Sequence, residues 1–194
     1  GTEESNVQND EEFDYVIVGA GSAGCVLANR LTESGENRVL LLEAGGKDTN
    51  PWIHIPLGYG RTFADPSVNW CYATEPDPSC NGRSIVQPRG KVLGGSSSIN
   101  GMIYIRGNAA DYDHWRQLGN TGWSYDDVLP YFRKSEDQAR GADDFHGEGG
   151  PLAVSEQRDF HPLARAHLEA AVEAGYPRNP DFNGAGAGWQ SCVT

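Results

Sequence analysis

The chain has 194 residues, 38% of them hydrophobic and 10% aromatic, so it can bury a core and is not globally disordered. Its formal net charge of −12 argues against nucleic acid or an anionic membrane surface as a partner, because both require basic patches. No apolar run reaches membrane-spanning length, and the polar opening at residues 1–12 predicts a disordered tail instead of a signal peptide.

A short buried parallel strand is predicted at residues 14–18, where the sequence reads DYVIV. A glycine-rich turn and a helix through SAGCVLANRLTES follow, with Ala23, Val26, Leu27 and Leu31 on one helix face. The next strand, RVLLLEAG, contains Glu43 near its end. The order strand, turn, helix and strand predicts a Rossmann-like α/β domain.

The glycine turn has the spacing of a dinucleotide-binding loop. Gly19 permits a tight turn, Gly21 lets backbone approach a pyrophosphate, and Gly24 lets the helix pack closely on the strand. The helix N-terminus then offers unpaired N–H groups to phosphate oxygens. Glu43 lies about twenty residues further on, where an acid accepts hydrogen bonds from ribose hydroxyls. The acid favours FAD or NAD over NADP, and these residues alone leave the choice between FAD and NAD open.

Residues 89–107, RGKVLGGSSSINGMIYIRG, combine five glycines and three serines with clearly apolar side chains. Flexible linkers lack such apolar residues, so the segment predicts a loop in close contact with a ligand, followed by a strand. Residues 90–113 resemble the first signature of the glucose–methanol–choline (GMC) family of flavin oxidoreductases. The segments NPWIHIP, NWCYATEPDP and HGEGGPLAV also resemble this family, so the resemblance covers almost everything from residue 13 to residue 194.

This resemblance implies FAD as the cofactor, with the signature loop wrapped around its flavin end. It places Ser22 and Ala23 at the pyrophosphate and Glu43 at the adenosine ribose. Further FAD contacts are implied at Val92, Ser96, Asn100, Gly101, Met102 and Ile103. For Met102 and Ile103, plain core packing is the alternative interpretation. Some family oxidases attach FAD covalently through a His in the signature, whereas this chain has Gly101 and no signature His, so we expect non-covalent FAD.

The implied activity is oxidation of a small-molecule alcohol, with O2 or a quinone-type compound as electron acceptor. A family histidine, with a second His or Asn beside it, handles the hydroxyl proton. The resemblance implies that this pair lies outside the present chain, in a C-terminal segment or second polypeptide that completes the fold. The five histidines of this chain are interpreted as structural or surface residues. A hydroxynitrile lyase of the same family and a non-catalytic FAD-binding fragment are the alternatives.

The predicted organisation is an FAD-binding domain at residues 13–136, a connection at 137–150, and the beginning of an α+β substrate-binding domain at 151–194. Residues 44–88 are expected to be loop-rich. Pro162 and Gly175 predict a helix over residues 162–174.

The chain has four cysteines and no C-x-x-C pair, so no metal site is expected. Four reduced thiols predict a cytoplasmic protein, and a disulfide between Cys71 and Cys80 is the alternative.

Overall fold

The computed structural model describes residues 11–185 and 192–193, so the predicted tail at residues 1–12 lies almost wholly outside the described part. The chain divides into two compact units, the first ending at Ile103 and the second beginning at Tyr104. The predicted boundaries at residues 136 and 150 concern cofactor and substrate binding, and they stay predictions.

The first unit begins with a β–α–β arrangement that confirms the predicted fold class. Strand β1 (Tyr15–Val18) leads into helix α1 (Ser22–Thr32), and strand β2 (Val39–Leu42) returns parallel to β1. Ile17 pairs with Leu41 in this register. Because the two strands are parallel, their carboxyl ends lie at the same edge, next to the beginning of α1.

Burial in this sheet differs from the prediction. Ile17 is buried, but Val16 and Val18 are 58% and 84% exposed. On the predicted apolar face of α1, Val26 and Leu27 are also exposed. Among the described residues this sheet has only two strands, so no further strand or layer covers these side chains. The sequence pattern predicted the strand correctly, although burial depends on neighbours that the described residues do not supply.

Residues 44–88 form the expected loop-rich segment. It contains short 3₁₀ turns, helix α2 (Tyr59–Thr62) and a two-stranded antiparallel pair of β3 (Tyr72–Ala73) and β4 (Val86–Gln87). Its middle is held by the buried side chain of Asn69, which donates to the Phe63 carbonyl at 2.8 Å. The same carboxamide accepts from the N–H groups of Cys71 and Arg89, each at 2.9 Å. Cys71 and Cys80 are free thiols.

The second unit contains helices α3 (Ala109–Gln117), α4 (Tyr125–Ser135) and α5 (Pro162–Glu173). Strand β5 (Glu136–Gln138) pairs in parallel with β6 (Leu152–Val154), and β7 (Arg178–Asn179) pairs in parallel with β8 (Cys192–Val193). Within the described ranges, no helix combines the length and apolar character needed to cross a membrane.

Local capping signals explain where the helices of the second unit begin. Asp111 and Asp127 each accept a hydrogen bond from the N-cap backbone N–H at 3.0 Å, which completes two capping boxes. Each of these two helices therefore begins at a capping box that its own sequence supplies. Pro162 opens α5 and Gly175, with φ +95°, follows its end, as the sequence predicted.

A network of Arg, His and carboxylate side chains joins distant segments of the second unit. Arg106 donates to Glu136 at 2.8 Å, and the Nδ1 of His146 lies 3.0 Å from the same carboxylate. The Nε2 of His146 lies 2.7 Å from Asp181, which also accepts from Arg140 at 2.8 Å. The side chains of Arg106, Glu136 and His146 are at most 2% exposed. His146 therefore has the structural role that the sequence suggested, at the centre of an ion network that the sequence did not reveal.

Removal of His146 from this network should destabilise the protein strongly. The substitution His146→Ala leaves the buried Glu136 carboxylate with one partner fewer, so the free energy of unfolding should fall by about 3–5 kcal/mol. The exposed His167→Ala is the matched control and should change it by no more than about 0.5 kcal/mol. Urea denaturation followed by circular dichroism measures both, and equal stabilities would contradict the assigned role of His146.

Asp181 should make the protein sensitive to acid. Burial favours the protonated carboxyl, but hydrogen bonds from the Asn183 N–H, Arg140 and His146 outweigh it and hold the pKa of Asp181 below its usual range. A folded-state pKa below the unfolded value of about 3.9 gives stability that is present above that pH and is lost as the pH falls further. The difference in unfolding free energy between the parent and Asp181→Asn should therefore shrink from pH 5 to pH 2. A difference that stays constant over this range would exclude the ionised carboxylate as its source.

Candidate functional site

An open cleft of about 800 Å³ lies at the carboxyl ends of β1 and β2, where α1 begins. The first N–H groups of a helix have no partner within the helix. In α1 these groups lie at the edge of this cleft, because the helix begins there. Seven of the residues predicted to bind the cofactor line it together: Gly19, Gly21, Ser22, Ala23, Gly24, Glu43 and Ser96.

The three glycines of the turn are required for different physical reasons. Gly19 has φ +96°, which the tight turn after β1 requires. A Cβ on Gly24 would collide with the carbonyl oxygen of Gly19, so this glycine allows close packing of helix and strand. A Cβ on Gly21 would meet nothing within 4 Å, and its φ of −79° suits any residue. Neither the backbone conformation nor the internal packing therefore requires a glycine at position 21.

Glu43 holds the two walls of the cleft together. One carboxylate oxygen accepts from the N–H of Ala20 at 2.7 Å, and the other accepts from the N–H of Gly45 at 2.8 Å. A carboxylate has about four acceptor positions, so two remain for hydroxyl groups of a ligand. The sequence predicted a ligand-binding acid at this position, and the structure adds an internal role that it did not predict.

The signature loop packs directly on this turn through its backbone. The Gly94 N–H donates to the Ala20 carbonyl at 2.8 Å, and the Leu93 N–H donates to the Gly46 carbonyl at 2.9 Å. A Cβ on Gly95, which has φ +56°, would lie 2.9 Å from the Cα of Gly21. Small residues are therefore needed in this loop for contact between backbones, in addition to any contact with a ligand.

Two further predicted residues of the loop have internal partners. The hydroxyl of Ser96 accepts from the Gly90 N–H at 3.1 Å and still lines the cleft. Val92 is only 1% exposed and packs with Val68 and Ile99 in the small core of this unit. Val92 does not line the cleft, so any contact with a cofactor there involves its backbone.

The last four predicted residues lie away from the large cleft. Asn100 and Met102 line a second cleft of about 40 Å³, together with Trp52, Ile53, Ile55, Pro56, Tyr59, Ser97 and Ser98. Gly101 and Ile103 line neither cleft. Met102 is 56% exposed and Ile103 is 84% exposed, so the core-packing interpretation of these two side chains is wrong for the described structure.

Arg89 and Trp70, which the sequence motifs did not indicate, also line the large cleft. Arg89 carries the only positive charge among the residues around it. The available signal was the position of Arg89 directly before Gly90, the first residue of the signature segment. None of the histidines lines the large cleft, and the described residues contain no group of three or more His, Cys, Asp or Glu suited to a metal ion.

Most of the chain is similar to known proteins of one family. The GMC oxidoreductase family profile matches residues 13–194. Human mitochondrial choline dehydrogenase is 49% identical over 192 residues, which cover 94% of this chain and 32% of that protein. Oxygen-dependent choline dehydrogenase of Vibrio vulnificus strain YJ016 is 48% identical over 176 residues, covering 90% of this chain and 31% of that protein. The chain thus spans about a third of the length of these curated relatives.

Two solved structures share this architecture. Pyridoxine 4-oxidase from Mesorbium loti superposes with a TM-score of 0.84 at 41% identity, covering 89% of this chain and 34% of the other. An FAD-dependent oxidoreductase from Chaetomium thermophilum gives a TM-score of 0.78 at 31% identity, covering 93% of this chain and 32% of the other.

Contact between the turn and the loop predicts a strong effect of Gly95→Ala. The new methyl group must displace the backbone at Gly21, and the alanine must adopt φ +56°. The free energy of unfolding should therefore fall by at least about 2 kcal/mol. The control Gly46→Ala, where a Cβ meets nothing, should leave it unchanged or raise it by up to about 1 kcal/mol. Urea denaturation distinguishes the two, and a tolerated Gly95→Ala would show that the contact is not tight.

Proposed function

The chain belongs to the GMC oxidoreductase family, and we propose that its first compact unit binds FAD in the large cleft. The observation that carries this proposal is the open space at Gly21, because neither backbone conformation nor internal packing requires a glycine there. A ligand with a bulky diphosphate gives that glycine a purpose.

The residues around the cleft fit the chemistry of the two ends of an adenosine diphosphate group. Ser22 and Ala23 begin α1, whose free N–H groups and dipole favour an anion. Arg89 adds a positive charge in a protein whose overall charge is strongly negative. The remaining acceptor positions of Glu43 suit the ribose hydroxyls. We assign Ser22, Ala23 and Arg89 to the pyrophosphate. Glu43 is assigned to the ribose.

The flavin end is assigned to the signature loop, at Val92, Ser96, Asn100, Gly101, Met102 and Ile103. Support comes from the exposed apolar side chains of Met102 and Ile103, since a flavin ring requires an apolar surface. Gly101 offers no nucleophile, and the signature contains no histidine, so FAD is proposed to bind non-covalently.

The whole protein is proposed to oxidise the CH–OH group of a small-molecule alcohol. Bound FAD would accept a hydride from the carbinol carbon. The part played by this chain is to bind the cofactor and fix its orientation. Names of its relatives agree with this reaction class, since they include choline dehydrogenases and pyridoxine 4-oxidase.

The base that takes the hydroxyl proton is proposed to come from the part of the relatives' length that this chain does not span. His146 is bound between Glu136 and Asp181, and His54 contacts the Asp48 carbonyl at 2.6 Å. Both have structural partners instead of an open position beside the cleft. Neither the lyase alternative nor the binding-only alternative gains support from an observation in the described residues.

The electron acceptor, O2 or a quinone-type compound, and a segment or subunit that completes the fold also stay predictions. So does the cytoplasmic compartment, which was predicted from cysteine usage. The human relative is named as mitochondrial, and the Vibrio relative is named as oxygen-dependent.

A valine at position 21 should abolish FAD binding without damage to the fold. Its side chain enters the open space of the cleft, so the affinity for FAD should fall by at least about 100-fold, which corresponds to about 2.7 kcal/mol. Titration of FAD into the intact apoprotein, followed by flavin fluorescence, measures this change.

Gly46→Val is the matched control, since it adds the same side chain in open space outside the cleft. It should bind FAD as the parent does. Parent-like affinity in Gly21→Val would show that the cofactor lies elsewhere. A purified parent protein without flavin absorbance would favour the alternative of a non-catalytic fragment that holds FAD weakly, or a wholly different function.

A further inference from the structure

Two residues of the large cleft come from loops instead of from the β–α–β arrangement. Trp70 and Arg89 line the cleft, and neither belongs to a helix or a strand. Trp70 is 40% exposed. Within the described ranges, the guanidinium of Arg89 makes no hydrogen bond, ion pair or ring contact. Both side chains therefore have surface free for a ligand, and the position of Arg89 depends on contacts of its backbone.

The side chain of Asn69 constrains the backbone at both positions. Its Oδ1 accepts from the N–H groups of Cys71 and Arg89, each at 2.9 Å. The bond from the Cys71 N–H closes a ring of atoms that includes the whole backbone of Trp70, so it restricts both φ and ψ of Trp70. The second bond ties the backbone of Arg89 to the same oxygen atom. One oxygen atom therefore holds the backbone at both cleft residues.

Asn69 is itself fixed in the interior of the first unit. It is only 2% exposed, and its Nδ2 donates to the Phe63 carbonyl at 2.8 Å. The preceding Val68 is 5% exposed and belongs to the small core. Burial of a carboxamide costs free energy unless its groups are hydrogen-bonded, and an apolar residue would avoid this cost. The hydrogen bonds of the carboxamide are therefore what asparagine adds at this buried position.

Further contacts depend on the position of Trp70. Its indole stacks on the Tyr72 ring, with centroids 5.8 Å apart and planes inclined by 6°, and the Lys91 ammonium lies 4.6 Å from the indole centroid. The Trp70 N–H also donates to the Arg89 carbonyl at 2.9 Å. An aromatic surface and a guanidinium on two directly bonded segments suit a ligand that joins a flat ring to phosphate, as a nucleotide does.

We propose that Asn69 is a positioning residue for FAD in the large cleft. Asn69 does not line the cleft. It acts through the backbone of Trp70 and Arg89, which present the indole and the guanidinium to the nucleotide part of the cofactor. This inference rests on the proposed function, in which Arg89 is assigned to the pyrophosphate. It adds a buried residue outside the glycine turn and the signature loop to the groups on which FAD affinity depends.

A double-mutant cycle in the intact protein tests this role. The dissociation constant for FAD is measured by flavin fluorescence for the parent, Asn69→Ala, Arg89→Ala and the combined variant. Each is measured at low and at high ionic strength, because salt screens the attraction between Arg89 and a phosphate. Val68→Ala is the matched control, since it destabilises the same segment through the core and leaves the Asn69 carboxamide in place.

Arg89→Ala should weaken FAD binding at low salt by about 10–100-fold, the effect of losing a hydrogen bond between charged groups. Asn69→Ala should weaken it by about tenfold in the parent and by less than about threefold in the Arg89→Ala background, where only the effect through Trp70 remains. Both single variants should depend less on salt than the parent does. Val68→Ala should keep the parental salt dependence and an affinity within about twofold of the parent.

Three results would overturn the proposal, because each indicates a general loss of stability: an additive cycle, an Asn69→Ala variant with the salt dependence of the parent, or a Val68→Ala variant as weak as Asn69→Ala. If Asn69→Ala does not fold, Asn69→Ser replaces it under the same criteria. Failure of both variants to fold would leave Asn69 with a structural role alone and would also overturn the proposal. Absence of FAD binding by the parent would overturn the proposed function as well, whereas normal parental binding with an additive cycle would overturn this inference alone.

Discussion

The cleft depends on contact between two stretches of bare backbone. The turn after β1 and the signature loop meet at Gly21 and Gly95, where one additional carbon atom would be 2.9 Å from its neighbour. Hydrogen bonds from Gly94 to Ala20 and from Leu93 to Gly46 hold the loop in that position. Because these bonds join main-chain atoms, they hold the loop without using its side chains. The shape of the cleft and the position of the loop therefore have one common cause.

The second unit is held together in a different way. Its segments meet at a polar network, with His146 between Glu136 and Asp181 and with Arg106 on the far side of Glu136. A buried ionic network tolerates few rearrangements, since every displaced charge loses a partner in a medium of low polarity. The two units thus use opposite devices, the absence of side chains in one and hydrogen-bonded polar side chains in the other.

Local rules made the β1–α1–β2 unit and the beginning and end of α5 predictable from sequence. The glycine spacing and Glu43 also pointed to residues that line one cleft together. Burial of Val92, exposure of Val18 and the internal hydrogen bonds of Glu43 were not predictable, because each depends on residues far away in the sequence. The burial of His146 was not predictable either, because this residue lies in a polar stretch of a composition typical of surface loops.

The contacts of Asn183 have a consequence for the order of events during synthesis. Its carboxamide accepts from the Arg106 N–H, 77 residues earlier, and donates to the Tyr104 carbonyl. A ribosome that adds about 5–20 residues per second needs about 4–15 s to cover this distance. Until then the backbone groups of Tyr104 and Arg106 cannot make these hydrogen bonds. Translation speed therefore limits how early the second unit can reach its final structure, whatever the intrinsic folding rate of its helices.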